Sequence, residues 1–112
     1  MLPKKNRLRK KKDFERVFKE GKNARGTVLY FKILETKEPS SRIGFIVSKK
    51  ISPKATERNK IRRRMKESVR AALDMLKNSW DIIIIASPQI KKSSFEEIRR
   101  DTEKTFKNIN NV

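Results

Sequence analysis

Residues 55–70 at the centre of the chain read ATERNKIRRRMKESVR, a basic segment with the periodicity of a helix. Apolar side chains recur at three- and four-residue intervals along one stripe: Ile61, Met65, Val69, Ala72, Leu73 and Leu76. The opposite face carries cations and one amide: Asn59, Lys60, Arg62 (at the edge), Arg63, Lys66 and Arg70. The pattern predicts a helix with Thr56 as N-cap and an end near residues 77–79. One face would pack in the core, and the other would bind an anion. Our first hypothesis is that this anion is RNA.

The charge balance of the whole chain favours the same hypothesis. Its 112 residues suffice for one domain with a modest core. They include 31 Lys and Arg against 13 Asp and Glu, a net charge of +18. Because such an excess destabilises a compact state by self-repulsion, it indicates a polyanionic partner, either nucleic acid or an anionic membrane surface.

Signals for a membrane or for export are missing from the sequence. The longest apolar run is Ile82–Ala86, far short of the roughly 20 residues of a membrane span. The basic N-terminus is not followed by an apolar segment, so we expect no signal peptide, no membrane partner and a cytoplasmic location. The absence of Cys excludes disulfides and is compatible with the cytosol.

A catalytic site built from protein side chains is not expected either. With neither His nor Cys, the usual zinc ligand sets and the commonest general base are missing. The acidic residues are scattered, mostly beside basic ones, and form no motif of a two-metal nuclease. We therefore predict no catalytic residues and no metal site made by protein side chains alone.

The N-terminal region divides into an arm and a short helix. Residues 1–12 are dense in Lys and Arg, so we predict a flexible basic arm that contacts RNA, followed by a single RNA-binding domain over residues 13–112. The helix is predicted to begin at Asp13 as N-cap and to end before Gly21. Its two phenylalanines, Phe14 and Phe18, either pack in the core or leave a ring face open for base stacking.

The next segments predict a loop and two strands. Residues 21–26 are interpreted as a loop, and residues 27–35 as a strand whose Tyr30 and Lys32 share a face suited to ribose and phosphate. Residues 42–48 form the next strand, and we expect the two strands to pair as a hairpin. Residues 49–54 leave room for one further strand.

The last third of the chain predicts a central strand and a final helix. Ile82–Ile85 are four β-branched residues in a row, which is typical of a strand buried on both faces. Ser94 with Glu97 is a capping box, and the helix should run to about Asn108. The order helix, strand, strand, (strand), helix, strand, helix predicts an α/β (α+β) two-layer sandwich with a small mixed sheet.

Four blocks of residues also carry a specific pattern. They are Arg7-Leu8, Asp13-Phe14-x-x-Val17-Phe18-x-x-Gly21, Arg42-x-Gly44-x-x-Val47-Ser48-Lys49-Lys50 and Ala55-x-x-Arg58-Asn59-x-Ile61-Arg62-Arg63-x-x-Lys66-Glu67. In these blocks, and in Asp81 before an apolar strand, the chain resembles the protein subunit of bacterial ribonuclease P. The blocks run nearly end to end, and the middle two together are highly specific.

The resemblance implies a function that periodicity does not show. Proteins of this family bind a large catalytic RNA one to one. That RNA removes the 5′ leader of precursor tRNA with Mg²⁺, which the RNA mainly binds, so the protein is an accessory component of an endoribonuclease. We expect the protein itself to be monomeric. The resemblance also implies a left-handed crossover at the central helix, against the general right-handed rule.

The resemblance assigns the basic helix to the catalytic RNA, and a cleft between the first helix and the sheet to the leader. The residues predicted to bind the RNA subunit are Lys49, Lys50, Arg58, Asn59, Lys60, Arg62, Arg63, Lys66 and Arg70. The residues predicted to bind the leader are Arg7, Phe14, Phe18, Tyr30 and Lys32.

The chain departs from the family pattern at three positions that bear on contacts with RNA. Lys60 and Lys66 stand where the family usually has Arg, which keeps the charge but loses the planar bidentate fork. Ser87 stands where the family often has Arg, so one basic contact of the family is not expected here. Two other classes stay open at this point: a general or ribosomal RNA-binding protein, and a self-sufficient nuclease, which the missing His and carboxylate cluster disfavour.

Overall fold

The computed structural model describes residues 2–110, which form three helices and one four-stranded sheet. The helices are α1 (Lys11–Glu20), α2 (Ala55–Ala72) and α3 (Phe95–Ile109). The strands are β1 (Lys22–Arg25), β2 (Leu29–Glu35), β3 (Arg42–Ile46) and β4 (Trp80–Ala86). The order across the sheet is β1-β2-β4-β3, in which β4 is antiparallel to β2 and parallel to β3. The predicted mixed sheet is therefore confirmed. Within residues 2–110, no helix is both long and apolar enough to span a membrane.

The isoleucine run forms the central strand, as its composition predicted. Ile84 of β4 lies opposite Phe31 of β2 on one side and opposite Phe45 of β3 on the other. Ile82 and Ile84 are buried in the main core, while Ile83 is buried in a second cluster on the other face of the sheet. A strand with apolar side chains on both faces is stable only where both faces are covered.

The two faces of the sheet are covered unequally. The main core lies between the sheet and the helices α2 and α3, which contribute Met65, Val69, Ile98 and Phe106 to it. This is the predicted two-layer α/β arrangement. The short helix α1 packs against β2 and β4 on the opposite face, where Val17 joins the smaller cluster. Part of that second face therefore remains open beside α1, and the leader cleft was predicted between α1 and this face.

Three predictions about strands are corrected by the structure. The predicted hairpin is wrong, because β4 inserts between β2 and β3 and gives both a more apolar neighbour than they would give each other. The predicted loop at residues 21–26 contains β1, whose Ala24 packs on the main core. Residues 49–51 form a turn, so the additional strand lies before β2 and not before α2.

Several helix ends also differ from the predictions, although α1 ends at Glu20, before Gly21, as predicted. Helix α1 begins at Lys11 and α2 at Ala55, so Asp13 and Thr56 lie in first turns and are not N-caps. Helix α2 ends at Ala72 and passes into a single 3₁₀ turn, well before residues 77–79. In α3 both hydrogen bonds of the Ser94–Glu97 capping box are present, which confirms that prediction.

The N-terminal segment is packed on the fold and differs from the predicted flexible arm. Leu2 and Leu8 are buried, one in each apolar cluster. The Leu8 amide donates to the Ile43 carbonyl at 3.0 Å, and the Asn6 side-chain amide donates to the Ser41 carbonyl at 2.8 Å. The segment thus covers part of the free edge of β3, which would otherwise present unpaired backbone groups. Its charge density indicated a free arm, but the two leucines and the open strand edge anchor it.

Candidate nucleic-acid interface

Helix α2 separates an apolar face from a cationic one, as its sequence predicted. Ile61, Met65 and Val69 are buried against the sheet and α3. On the other side the predicted RNA-binding residues are exposed or half-exposed: Arg58, Asn59, Lys60, Arg62, Arg63, Lys66 and Arg70. Lys49 and Lys50 lie exposed in the turn that precedes the helix. The structure therefore brings the predicted RNA-binding residues onto one helix and the turn before it.

Basic residues on α2 and α3 differ in their acidic neighbours. On α3, Arg99 pairs with Glu96 and with Glu103, and the hydrogen bond from Arg99 lowers the pKa of Glu96. On α2, none of the carboxylates in residues 2–110 lies within 4.0 Å of the cationic groups of Arg58, Lys60, Arg62, Arg63 and Lys66. Arg70 alone has a distant partner, Glu67, at 3.8 Å. The positive charge of α2 is thus left available to an external anion.

Polar contacts within α2 and with the segment just before it hold two of its arginines in place without neutralising them. The Arg58 guanidinium donates to the Ser52 carbonyl at 2.9 Å, and Arg62 donates to the Asn59 side-chain oxygen at 2.7 Å. Glu57, in the first turn, forms an ion pair with Lys91, in which Oε1 lies 3.1 Å from Nζ. A hydrogen bond from the Ser52 hydroxyl and the Lys91 ammonium hold the pKa of Glu57 below its usual value.

A cavity of about 460 Å³ at the edge of β3 joins the two predicted groups of site residues. Its polar lining combines cations of the N-terminal segment and of α2: Arg7, Arg9, Arg62 and Lys66. Phe14 and Gly44 form part of its apolar wall. Two residues predicted for the leader, Arg7 and Phe14, therefore meet two predicted for the RNA subunit, Arg62 and Lys66. Arg9 was not singled out in the sequence, because nothing distinguishes it from the other cations of residues 4–12.

The two phenylalanines of α1 occupy different environments. Phe14 is half-buried, and its ring lies so close to Gly44 that a Cβ at that position would overlap it. The glycine on β3 is thus required by the approach of an aromatic ring. Phe18, one turn later, is 42% exposed. Core packing therefore accounts for Phe14, whereas the Phe18 ring is open to solvent.

Tyr30 and Lys32 lie on the face of β2 against which α1 packs. They alternate with the buried Phe31 and Ile33, and they share their face with Leu34, which packs in the cluster under α1. Both side chains are half-buried. The Arg25 guanidinium of β1 lies over the Tyr30 ring, 5.1 Å from its centroid. Arg25 was missed in the sequence because residues 21–26 were interpreted as a loop.

A cluster of charged residues ties α1 to the sheet. The Asp81 carboxylate, fully buried, accepts from Arg42 at 2.7 and 2.9 Å and from Arg16 at 2.8 Å. Arg42 also reaches Asp13 at 3.3 Å. The hydrogen bonds to Asp81 raise the pKa of Arg42 above its usual value. These two arginines are therefore occupied inside the protein and differ from the cations of α2.

The carboxylates of the described residues do not fit a magnesium site. Across residues 2–110, no three acidic side chains come together as a donor set. Of the buried carboxylates, Asp81 is held by two arginines, and Asp101 accepts the Val28 and Leu29 amides at 2.6 and 3.0 Å. Hard divalent cations need several oxygen ligands, and these are already bonded.

Comparison with known proteins identifies the family. A protein-family model described as Ribonuclease P matches residues 2–110. The chain belongs to the ribonuclease P protein family. Curated members named ribonuclease P protein component include one from Pseudanabaena sp. (strain PCC 6903), 37% identical over 102 residues, which cover 90% of this chain and 88% of the relative. Another, from Clostridioides difficile (strain 630), is 39% identical over 103 residues, or 91% and 86% of the two chains.

Solved structures of the ribonuclease P protein share the fold. The Staphylococcus aureus protein superposes with a TM-score of 0.81 at 30% identity, over 93% of this chain and 94% of that one. The Thermotoga maritima protein also gives 0.81, at 28% identity, over 91% and 96%. These similarities extend over both the α2 face and the α1 side of the sheet, so the interface described above lies within the part shared with the family.

Proposed function

We propose that this chain is the protein subunit of a bacterial ribonuclease P, bound one to one to a catalytic RNA that removes the 5′ leader of precursor tRNA. The observation that supports this most directly is the unneutralised cationic face of α2 on a chain of this family. The proposal assigns the chemistry to the RNA, and Mg²⁺ mainly to the RNA as well. In this view the protein acts as a monomer in the cytoplasm.

The proposed role of α2 is electrostatic. A folded catalytic RNA brings phosphates close together, and cations without internal partners bind them by releasing counterions. Arg58, Arg62 and Arg63, supported by Lys49 and Lys50, would lower the Mg²⁺ concentration that the RNA needs to fold. The lysines at positions 60 and 66 favour attraction to phosphate over a bidentate contact of defined shape.

The proposed role of the open sheet face is to bind the single-stranded leader. Phe18 exposes a ring on α1, Tyr30 offers a second one on the face of β2 against which α1 packs, and Lys32 supplies a positive charge on the face of Tyr30. Stacking of one base on an aromatic side chain contributes about 1–3 kcal/mol to binding. Because the mature tRNA product lacks the leader, this contact would favour precursor over product.

The alternative is a general or ribosomal RNA-binding protein, which would use the same positive charge without a role in processing. It explains α2 but gives no reason for an exposed Phe18 on α1 and a half-buried Tyr30 on the sheet face against which α1 packs. The self-sufficient nuclease lacks support from the residues, since the acidic groups form no donor set in residues 2–110.

Cleavage of precursor tRNA separates the three functions. The measurement compares the protein alone, a bacterial ribonuclease P RNA alone, and both together at a Mg²⁺ concentration too low for the RNA to act by itself. We expect no cleavage with the protein alone and efficient 5′ cleavage with both. Cleavage by the protein alone would support a nuclease. Failure to stimulate the RNA, with the protein folded, would favour a general RNA-binding protein.

A further inference from the structure

Asn59 was predicted to bind the RNA subunit directly, but its side chain contacts a neighbour on the same helix. Asn59 lies one helical turn before Arg62 on α2, and its side-chain oxygen accepts a hydrogen bond from Nη1 of Arg62 at 2.7 Å. Because a guanidinium can only donate, the accepting atom is the amide oxygen. The contact holds the arginine without reducing its charge, since the amide is neutral.

Arg62 lies between two recesses that are lined by cations. One is the cavity at the edge of β3, which Arg7 and Arg9 also line. The other is an open recess of about 410 Å³ on α2 itself, lined by Asn59, Arg62, Arg63, Lys66 and Glu67. A change in the position of the Arg62 guanidinium therefore affects the positive charge of both recesses.

Arg62 and the next residue, Arg63, differ in how they are held. Arg62 is half-buried and donates to Asn59, whereas Arg63 is exposed and makes no side-chain hydrogen bond or ion pair within residues 2–110. A long side chain that moves freely loses rotamer freedom when it binds a partner, which weakens binding. A hydrogen bond that already restricts the side chain reduces this loss. Arg62 is therefore preorganised for an anion, and Arg63 is not.

We propose that Asn59 is a positioning residue, which acts on the RNA subunit through Arg62 and not through a contact of its own. The inference rests on the proposed function, in which Arg62 binds phosphate. An amide suits this role because it accepts a hydrogen bond and leaves the positive charge for the RNA. A carboxylate at position 59 would also hold Arg62 but would pair with its charge.

A double-mutant cycle on the affinity for a bacterial ribonuclease P RNA tests the assignment. Asn59→Ala should weaken binding by about 2- to 10-fold, the factor expected when one long side chain must be ordered on binding. The double variant should bind like Arg62→Ala alone, because Asn59 then has nothing to position. An effect of Asn59→Ala that is equal with and without Arg62 would indicate a direct contact with RNA and overturn the proposal. No effect of Asn59→Ala would overturn it as well.

Salt dependence and stability separate positioning from charge and from folding. Asn59→Ala removes no charge, so the slope of log affinity against log salt should keep its wild-type value, whereas Arg62→Ala should lower it by about one. Asn59→Ala should not destabilise the protein to urea, since Ala favours a helix more than Asn does. Asn108→Ala removes an exposed amide from α3 and should change neither affinity nor slope. A lower slope or a lower stability for Asn59→Ala would contradict the proposal.

NMR relaxation of the arginine Nε–H groups tests the contact in the protein alone. In the wild type, this group of Arg62 should be more restricted on the picosecond-to-nanosecond timescale than that of Arg63, and Asn59→Ala should make the two alike. Equal mobility in the wild type would overturn the proposal. Failure of the proposed function is distinguishable, because the wild type would then not stimulate the ribonuclease P RNA, while the difference between the two arginines would persist.

Discussion

At the scale of single residues, Asp81 is where α1, β3 and β4 are joined. Its buried carboxylate is shared between Arg16 and Arg42, which remain partly exposed to solvent. Asp81→Asn keeps the size but removes the ion-pair partner of Arg16 and leaves Arg42 with only its longer contacts to Asp13 at 3.3 Å and Glu38 at 3.5 Å. Breaking a buried ion pair costs about 3–5 kcal/mol, and the solvent exposure of the arginines places this one near 3 kcal/mol or somewhat below. Unfolding in urea at neutral pH measures the change.

A surface pair provides the control for Asp81. Glu96→Gln removes a carboxylate that pairs with Arg99 at the surface of α3. Exposed pairs are screened by solvent, so this variant should shift the urea midpoint much less. Equal shifts for the two variants would show that the Asp81 cluster does not fix α1 on the sheet.

Phe18 tests the leader site at the same scale. Because its ring is 42% exposed, Phe18→Ala should change the free energy of unfolding little. Removal of one stacked base should weaken holoenzyme binding of precursor tRNA by about 1–3 kcal/mol and leave mature tRNA unaffected. Phe95→Ala on α3, where the ring is 40% exposed, is the matched control and should affect neither. An equal weakening for precursor and mature tRNA would assign Phe18 to the core.

At the scale of elements, α2 is expected to set the salt dependence of RNA binding. Arg58→Ala combined with Arg63→Ala removes two cations that lack acidic partners within residues 2–110. The slope of log affinity for the RNA subunit against log salt should decrease by about one for each phosphate that is no longer neutralised. Lys104→Ala with Lys107→Ala removes the same charge from α3. If the two double variants change the slope equally, the salt dependence arises from the overall charge of the protein and not from the α2 face.

Elements in which all local sequence signals favour the same secondary structure were predictable from the sequence. The isoleucine run admits only a covered strand, and Ser94 with Glu97 fixes the start of α3 through local hydrogen bonds. The hairpin between β2 and β3 failed because strand pairing is decided by distant residues. Nothing between residues 36 and 41 indicates that β4, more than 30 residues later, will insert between them.

The candidate site was predictable where it lies on one element. The helical periodicity of the α2 sequence predicts its apolar and cationic faces, so the cations of α2 were predicted as one group. Residues that meet only through the sheet were missed: Arg9 reaches the cavity because the N-terminal segment lies along β3, and Arg25 reaches Tyr30 because residues 22–25 form β1. Polar strands at sheet edges lack the apolar alternation that identifies a strand.

At the scale of the whole molecule, the net charge of +18 is distributed unequally. Ion pairs neutralise part of the charge on α3 and inside the Asp81 cluster. The cations of the N-terminal segment, of the turn at residues 49–51 and of α2 have few acidic neighbours. Self-repulsion is therefore concentrated on the surface proposed for RNA, and an anion bound there stabilises the folded chain and the complex together.

This distribution predicts opposite effects of salt on folding and on RNA binding. Raising the ionic strength from about 0.01 M to about 0.15 M shortens the Debye length from about 30 Å to about 8 Å, which screens repulsion between cations and also their attraction to phosphates. The free energy of unfolding of the isolated protein, measured in urea, should rise over this range, while affinity for the RNA subunit should fall. Arg58→Ala with Arg63→Ala should reduce both effects, since the same charges cause them. A stability that does not depend on salt would show that the excess charge is already compensated in the fold.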